Sequence, residues 1–357
     1  MLRNFNKTLH KTFLWGVFIL TLLLIFSLIL RQQNFKEVSG AQNLEATYHM
    51  LLTVTALNES PTENHWYLPT VSLGRDSDKH IPWGAAVPTK TGDYIYTSFM
   101  PPGFLAPYFW FKVFDLEPSI ENLAYFNFAL GSLSAFALFL LLVELLKFNG
   151  YSPWTSVGGA LVACAIGIFS REALLSHGVI YWSHSLYQPI LIFSLYLTFR
   201  YLTAKTKESR NSYAVAMIIA AFIGPVTEWT GYVFNAGLFF LLFLNRHNLV
   251  SSRTLALKIF ITTAIAGILT VIYYGLVVGF EPATRAFLDR FIARNTSTGS
   301  IIGLIRGYRL SYGLFILTIP LALLLAYFSN KQQATSNKQQ ATSNNIIHIC
   351  GGMHSTA

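Results

Sequence analysis

The sequence predicts an all-α membrane protein: a polytopic transmembrane helical bundle of about eight spans, with a long first extracytoplasmic loop that carries juxtamembrane helices. Three observations predict it. Of the 357 residues, 53% are hydrophobic and only 11% are charged, against about a quarter charged in a soluble domain. The mean hydropathy is +0.46. Uncharged runs recur along the chain at the length a hydrocarbon core requires, roughly 20 residues.

The first run, 12–30, follows the basic N-terminus MLRNFNKTLHK (1–11). It is too long for a signal-peptide core, and LILRQQNF offers no small-x-small cleavage site, so it is expected as an uncleaved anchor. Further runs lie at 123–146, 154–170, 180–203, 213–226, 232–244, 257–280 and 311–328. The domain organisation follows as a cytoplasmic N-terminus (1–11), a membrane domain (12–328) with outer loops at 31–122 and 281–310, and a tail (329–357). The tail repeats SNKQQAT in tandem. Such a polar repeat builds no core and is expected to be disordered, and its abruptness suggests a C-terminal truncation.

Charge sets the expected orientation. With the N-terminus cytoplasmic, the short inside segments hold Arg3, Lys7, Lys11, Lys147, Arg200, Lys205, Lys207, Arg210, Arg246, Arg253 and Lys258, and every acid except Glu144 and Glu208 falls outside. This satisfies the positive-inside bias, and the inverse topology breaks it. The formal net charge of +9 is thereby explained without a nucleic-acid partner. Cys164 and Cys350 imply neither a disulfide framework nor a metal cluster. The expected location is the cell membrane, multi-pass, in a bacterial inner or plasma membrane.

The polar chemistry thus gathers at the outer face. In the first loop, NLEATYHMLLTVTAL (43–57) places Leu44, Tyr48, Leu51, Leu52 and Thr55 at helical spacing, predicting a short amphipathic helix at the membrane. Glu45 and His49 are an i, i+4 pair on another face. Further on, TGDYIYT is extended, the Pro-Pro pair stops any incoming helix, and GFLAPYFWFKVF predicts an apolar helix whose rings suit the interface.

The order of these parts resembles the C-type membrane glycosyltransferases, in particular the group of protein mannosyltransferases and the aminoarabinose transferase. The parts are a basic N-terminus, one span, an acid with Ala and Tyr nearby, HWYLPTVSLG (65–74) and the Tyr-rich YIYTSFMPPG before the second span. The resemblance covers about 11–146 through motifs and the remainder through hydropathy. It implies a sugar taken from a polyprenyl-phosphate carrier to a lipid or polysaccharide acceptor on the extracytoplasmic face. It also implies an acid pair at the loop's start, which falls here on Leu44 and Glu45, so that Glu45 stands alone as candidate general base. His49, Tyr94 and Tyr96 join it as candidate substrate contacts. One carboxylate suffices for this chemistry. A glycosidase must protonate an alkoxide and uses two carboxyls, whereas a phosphate departs as a stabilised anion and needs only charge stabilisation and one base for the acceptor hydroxyl.

Three further groups complete the candidates. Arg285, Arg290 and Arg294, with Arg306 and Arg309 beyond, suit bidentate contacts to the donor phosphate or to lipid headgroups. His184 and Glu228 are candidate substrate contacts; the alternative is a divalent metal held by His177 and His184 with Glu172 or Glu228, but two histidines make a weak metal signal, and no other cofactor is implied. GPVTEWTGY (224–232) breaks a span and presents Glu228, a carboxylate that at a membrane edge must be solvated, paired or functional. A transporter or flippase of lipid-linked sugars is the competing reading, but it predicts mid-membrane polar groups and repeats. An inactive, truncated relative is the third.

Overall fold

The computed structural model describes residues 2–37, 44–73, 86–176, 178–244, 250–296 and 301–312. The expected span at 311–328 lies outside these residues apart from its first two, as does the tail. The chain divides into two compact units, Met1–Thr298 and Gly299–Ala357, and the description below concerns the first unless stated.

Every expected span within the described residues coincides with a helix, although 180–182, at the start of one, are not helical. Helix α1 (Leu2–Glu37) is followed by the loop helices α2 (Glu45–Glu59), α3 (Thr62–His65) and α4 (Pro102–Val113). Then come α5 (Ile120–Phe148), α6 (Pro153–Ile168), α7 (Arg171–Ser176), α8 (Ser183–Thr203), α9 (Lys207–Thr227), α10 (Thr230–Phe243), α11 (Val250–Val278) and α12 (Phe280–Thr296). Three segments are long and apolar enough to cross a membrane, namely His10–Gln33, Ile120–Phe148 and Ser252–Val278, while α6 and α10 are apolar but shorter. The protein is an all-α membrane protein.

Local sequence sets the helix ends. Ser119, Ser152 and Thr206 each accept a hydrogen bond from a backbone N–H three residues on, the usual N-cap device. Helix α1 outruns its expected end at residue 30: Arg31 is still helical and buried, donating to Ser27 Oγ at 2.9 Å and to the Ile168 carbonyl at 3.1 Å. Helix α5 packs on α6 and α8, α8 on α9, α9 on α10 and α11, and α1 on α6. The long connections gather at one end of the bundle, here termed the loop end.

Two prolines inside helices are answered from outside them. Proline donates no N–H, so it frees the carbonyl four residues earlier. Pro107 of α4 frees Gly103 O, which accepts the Tyr181 hydroxyl at 2.7 Å. Pro225 of α9 frees Ala221 O, which accepts Asn235 Nδ2 at 2.8 Å. In lipid, a donor from a neighbouring element is what makes an interior proline tolerable.

The expected extended stretch is strand β2 (Tyr94–Tyr96), antiparallel to β1 (Ala86–Pro88) with Val87 opposite Ile95. Its other edge meets HWYLPTV: Tyr96 N donates to Pro69 O at 2.7 Å and Val71 N to Tyr94 O at 2.9 Å. The expected helix at 43–57 is α2, but the buried face differs from the expected stripe. Thr47, His49, Met50, Thr53, Val54, Ala56 and Leu57 face inward, while Tyr48 is 55% exposed. Thr47 on that face finds its partners on the 178–181 link: its Oγ1 donates to Val179 O at 2.6 Å and accepts from Tyr181 N at 3.0 Å. Helix α4 is likewise more than an interfacial anchor. Phe104, Tyr108 and Phe111 join Met50, Leu123 and Tyr181 in one core, leaving Phe109 exposed.

Candidate functional site

At the loop end, three separate segments meet. Helix α9 ends at Thr227, and its C-cap Glu228 is extended, with its N–H donating to Gly224 O. The Glu228 carboxylate is buried, 1% exposed. Oε2 accepts the Ser183 hydroxyl at 2.5 Å and lies 3.4 Å from His184 Nδ1, while Oε1 accepts the Trp229 backbone N–H at 3.0 Å. Ser183 and His184 form the first turn of α8. Ser183 is buried and His184 is open to solvent. Burying a carboxylate is costly unless hydrogen bonds offset the lost hydration; here a hydroxyl and an amide do so.

The opening stretch of the first loop closes over this group. Trp229 Nε1 donates to Ser98 O at 2.7 Å, and the Tyr274 hydroxyl to the next carbonyl, Phe99 O, at 3.0 Å. Phe99 stands 4.7 Å from Trp182 and 5.6 Å from His184, centroid to centroid. His49 continues the ring wall, 4.3 Å from Tyr96 and 5.2 Å from Trp182. Burial pushes the His49 imidazole down to about 4, so it is neutral at pH 7. Two close approaches fix the geometry behind the wall. A Cβ on Gly103 would meet Ser183 Cβ at 2.5 Å, and one on Gly231 would meet the Gly224–Pro225 backbone at 2.4–2.6 Å.

Trp229 also lines a cleft of about 610 Å³ with Tyr232, Val271, Phe287, Phe291 and Arg290. Its walls are almost wholly apolar. The Arg290 Nε is buried and has no hydrogen-bond partner among the described residues.

The sequence candidates therefore separate. His49, Tyr96, His184 and Glu228 fall along one continuous wall, and Tyr94 lies on β2 at its edge. Arg290 reaches the cleft next to Trp229. Arg285 is exposed and lies 4.0 Å from Asp289. Arg294 is on α12, with its side chain outside the described residues, as is His177. Glu45 occupies the exposed first turn of α2, where a carboxylate complements the helix dipole. Arg306 and Arg309 lie on α13 (Ile301–Tyr312) of the second unit. Of the three states open to Glu228 at a membrane edge, solvated, paired or functional, its burial and its bond to Ser183 exclude the first. Ser183, Trp182 and Tyr274 escaped the sequence reading; the available signal was YWSHS, which sets a hydroxyl beside the His already singled out.

For a divalent metal, His184 Nδ1 and Glu228 Oε2 are the nearest approach to a ligand set. Among the described residues no three His, Cys, Asp or Glu side chains converge. A catalytic zinc takes three protein ligands, and Oε2 is already engaged by Ser183. Of the four candidate ligands, His177 and the Glu172 side chain lie outside the described residues.

No family model matches the chain, and no curated protein does. Among solved structures, three of the oligosaccharyltransferase of Archaeoglobus fulgidus are similar to it. The apo form has 16% identity and a TM-score of 0.48, over 85% of this chain and 37% of that one. The form tethered by a disulfide to an acceptor peptide containing the NVT sequon has 15% identity and a TM-score of 0.48, over 85% and 38%. The complex with Zn and sulfate has 14% identity and a TM-score of 0.45, over 86% and 39%. The chain thus spans well under half the length of the proteins it resembles.

Proposed function

We propose that this chain is a C-type membrane glycosyltransferase that moves a sugar from a polyprenyl-phosphate carrier to an acceptor hydroxyl on a lipid or polysaccharide, at the extracytoplasmic face. The observation that carries the reading is the buried Glu228 carboxylate at the loop end, bonded to Ser183 and set 3.4 Å from the exposed His184. Around it stands a wall of aromatic rings, the surface on which sugar faces stack, and beside it opens an apolar cleft lined by the Arg290 guanidinium. That combination suits a ligand with a sugar, a phosphate and a long hydrocarbon chain. The motif resemblance of the first loop supports the same reading.

The two acids take different roles. Both oxygens of Glu228 are engaged and it is closed to solvent, so it positions Ser183 and His184 rather than reaching for an acceptor proton. Glu45 is the accessible carboxylate and stays the candidate base. Its helix is fixed to the link preceding Ser183 through Thr47. Arg290 stabilises the departing phosphate.

The test is transfer of labelled sugar from polyprenyl phosphate in membranes. Glu45→Gln keeps size and polarity but removes the base, and is expected to lower transfer by about 10²–10⁴-fold while donor binding persists. Equal transfer by the wild type and Glu45→Gln removes Glu45 as base. Absence of transfer by the wild type with every polyprenyl-phosphate sugar tried refutes the activity.

A further inference from the structure

The opposite end of the bundle carries a polar cluster that the transfer reaction does not use. Helices α1, α5 and α8 enclose a cavity of about 330 Å³ there, lined by His10, Phe13, Leu140, Val143, Glu144, Lys147, Tyr196 and Arg200. Each oxygen of Glu144 holds one cation: Lys147 Nζ lies 2.8 Å from Oε1 and Arg200 Nη1 lies 3.4 Å from Oε2. Arg200 is fixed further. It donates to the Tyr196 hydroxyl at 3.3 Å, and its guanidinium lies 5.2 Å from the Tyr213 ring centroid. Two cations from two different spans are thus pre-set at one mouth, while Phe13, Leu140 and Val143 form an apolar floor below them.

Positive-inside bias accounts for Lys and Arg near this end of the helices, but not for their convergence on a shared carboxylate over a cavity. Lys147 and Arg200 against Glu144 leave one net positive charge before His10 is considered. A monoanionic phosphodiester closes that balance, and the apolar floor suits the start of an acyl chain. Basic pockets between spans on the cytoplasmic side are a recurrent form of lipid recognition. The cavity lies at the low end of the ~300–1,000 Å³ typical of ligand pockets, enough for a headgroup but not for a whole lipid, whose chains would remain in the bilayer.

We propose that this cavity is a binding site for the headgroup of an anionic glycerophospholipid, with Lys147 and Arg200 on the phosphodiester, Glu144 as the anion with which the headgroup competes for them, and His10 at the rim. Occupancy ties α1 to α5 and α8 at the end remote from the candidate catalytic wall. It stabilises the bundle without entering the transfer chemistry.

The experiment uses the full chain, purified and delipidated in a neutral detergent. Phosphatidylglycerol, phosphatidylcholine and inorganic phosphate are added in turn, and melting temperature and lipid retention by native mass spectrometry are measured. Phosphatidylglycerol is expected to raise the melting temperature and to be retained, and the other two to do neither. Lys147→Gln and Arg200→Gln are each expected to weaken retention about five-fold, the worth of one basic side chain at an anionic lipid surface. Glu144→Gln separates a site from a structural ion cluster. Removing the carboxylate exposes both cations and is expected to strengthen phosphatidylglycerol retention, even if the lipid-free protein melts earlier. Equal stabilisation by phosphatidylcholine, equal stabilisation by inorganic phosphate, or weaker retention by Glu144→Gln overturns the proposal.

Discussion

Asn235→Leu should destabilise the bundle by a specific route, and Pro225→Ala should restore part of the loss. In the native fold, Ala221 O lacks its helical partner because residue 225 is proline, and Asn235 supplies the missing donor at 2.8 Å from the neighbouring α10. The same amide group donates to Thr263 Oγ1, also at 2.8 Å, which links α11. Leucine fills the space but leaves a buried carbonyl bare, at a cost of about 1–3 kcal/mol. Side-chain hydrogen bonds between membrane helices have measured lower, averaging ~0.6 and reaching ~1.7 kcal/mol, so about 1–2 kcal/mol is the expected loss. Pro225→Ala returns an N–H aimed at Ala221 O within α9. In the Asn235→Leu background it should therefore recover about 1 kcal/mol, whereas in the wild-type background it has an already satisfied carbonyl to serve and should gain little. Thr263 keeps its own bond to Ile259 O, so its loss of Asn235 is common to both backgrounds and cancels in the cycle. The assay is a double-mutant cycle on unfolding free energy in mild detergent, with thermal melting as a second measure. Strictly additive effects would refute the idea that Asn235 answers the proline.

The remaining predictions concern the loop end. Gly231→Ala places a methyl within 2.6 Å of α9 backbone and should cost about 1–3 kcal/mol as overpacking; Gly237→Ala on the same helix meets nothing within 4 Å and should be neutral or slightly stabilising on melting. Glu228→Gln turns an acceptor of the Ser183 hydroxyl into a competing amide, with an expected loss of about 1–3 kcal/mol and reduced sugar transfer; unchanged melting and transfer would remove Glu228 as an organiser. His49 has a folded-state pKa of about 4, below the ordinary ~6.5 of the unfolded chain. The unfolded state then binds the extra proton, so stability is complete above ~6.5 and falls as pH drops toward 4, by about 3 kcal/mol for this group. His49→Phe keeps a ring among Tyr96, Phe104 and Trp182 and should shrink the wild-type loss between pH 7 and 4; an identical pH profile refutes the assignment.

The helical membrane class was legible because it rests on length and composition, which act locally. The same holds for the β2 stretch and for the break before α4. The inward face of α2 was not legible. Thr47 and His49 turn inward although Leu51, Leu52 and Tyr48 are the more apolar side chains. What decides it is the Val179–Tyr181 backbone, which needs Thr47's hydroxyl and arrives from far along the chain. Pro107 reads as a local kink in sequence, and only Tyr181 shows that its freed carbonyl is an anchor point. Glu228 was singled out by the cost of a carboxylate at a membrane edge, and that cost is what the Ser183 bond offsets. The shared function of five arginines was an inference from charge alone. Among the described side chains, Arg290 lines the cleft and Arg285 turns to Asp289, because α12 is a helix and residues five apart on it face different ways.

Thr47 and Val179 are 132 residues apart, and Trp229 and Ser98 are 131 apart. At about 5–20 residues per second, the first loop emerges roughly 7–26 s before the segments that complete it have been made. During that interval its buried polar face, with Thr47 and His49 on it, is open to water and to any chaperone on that side of the membrane. The loop is thus the first part of the site to be delivered and among the last to be closed. A slow insertion of α8 or α10 would show itself as protease sensitivity at residues 44–113, far from the helix that lagged.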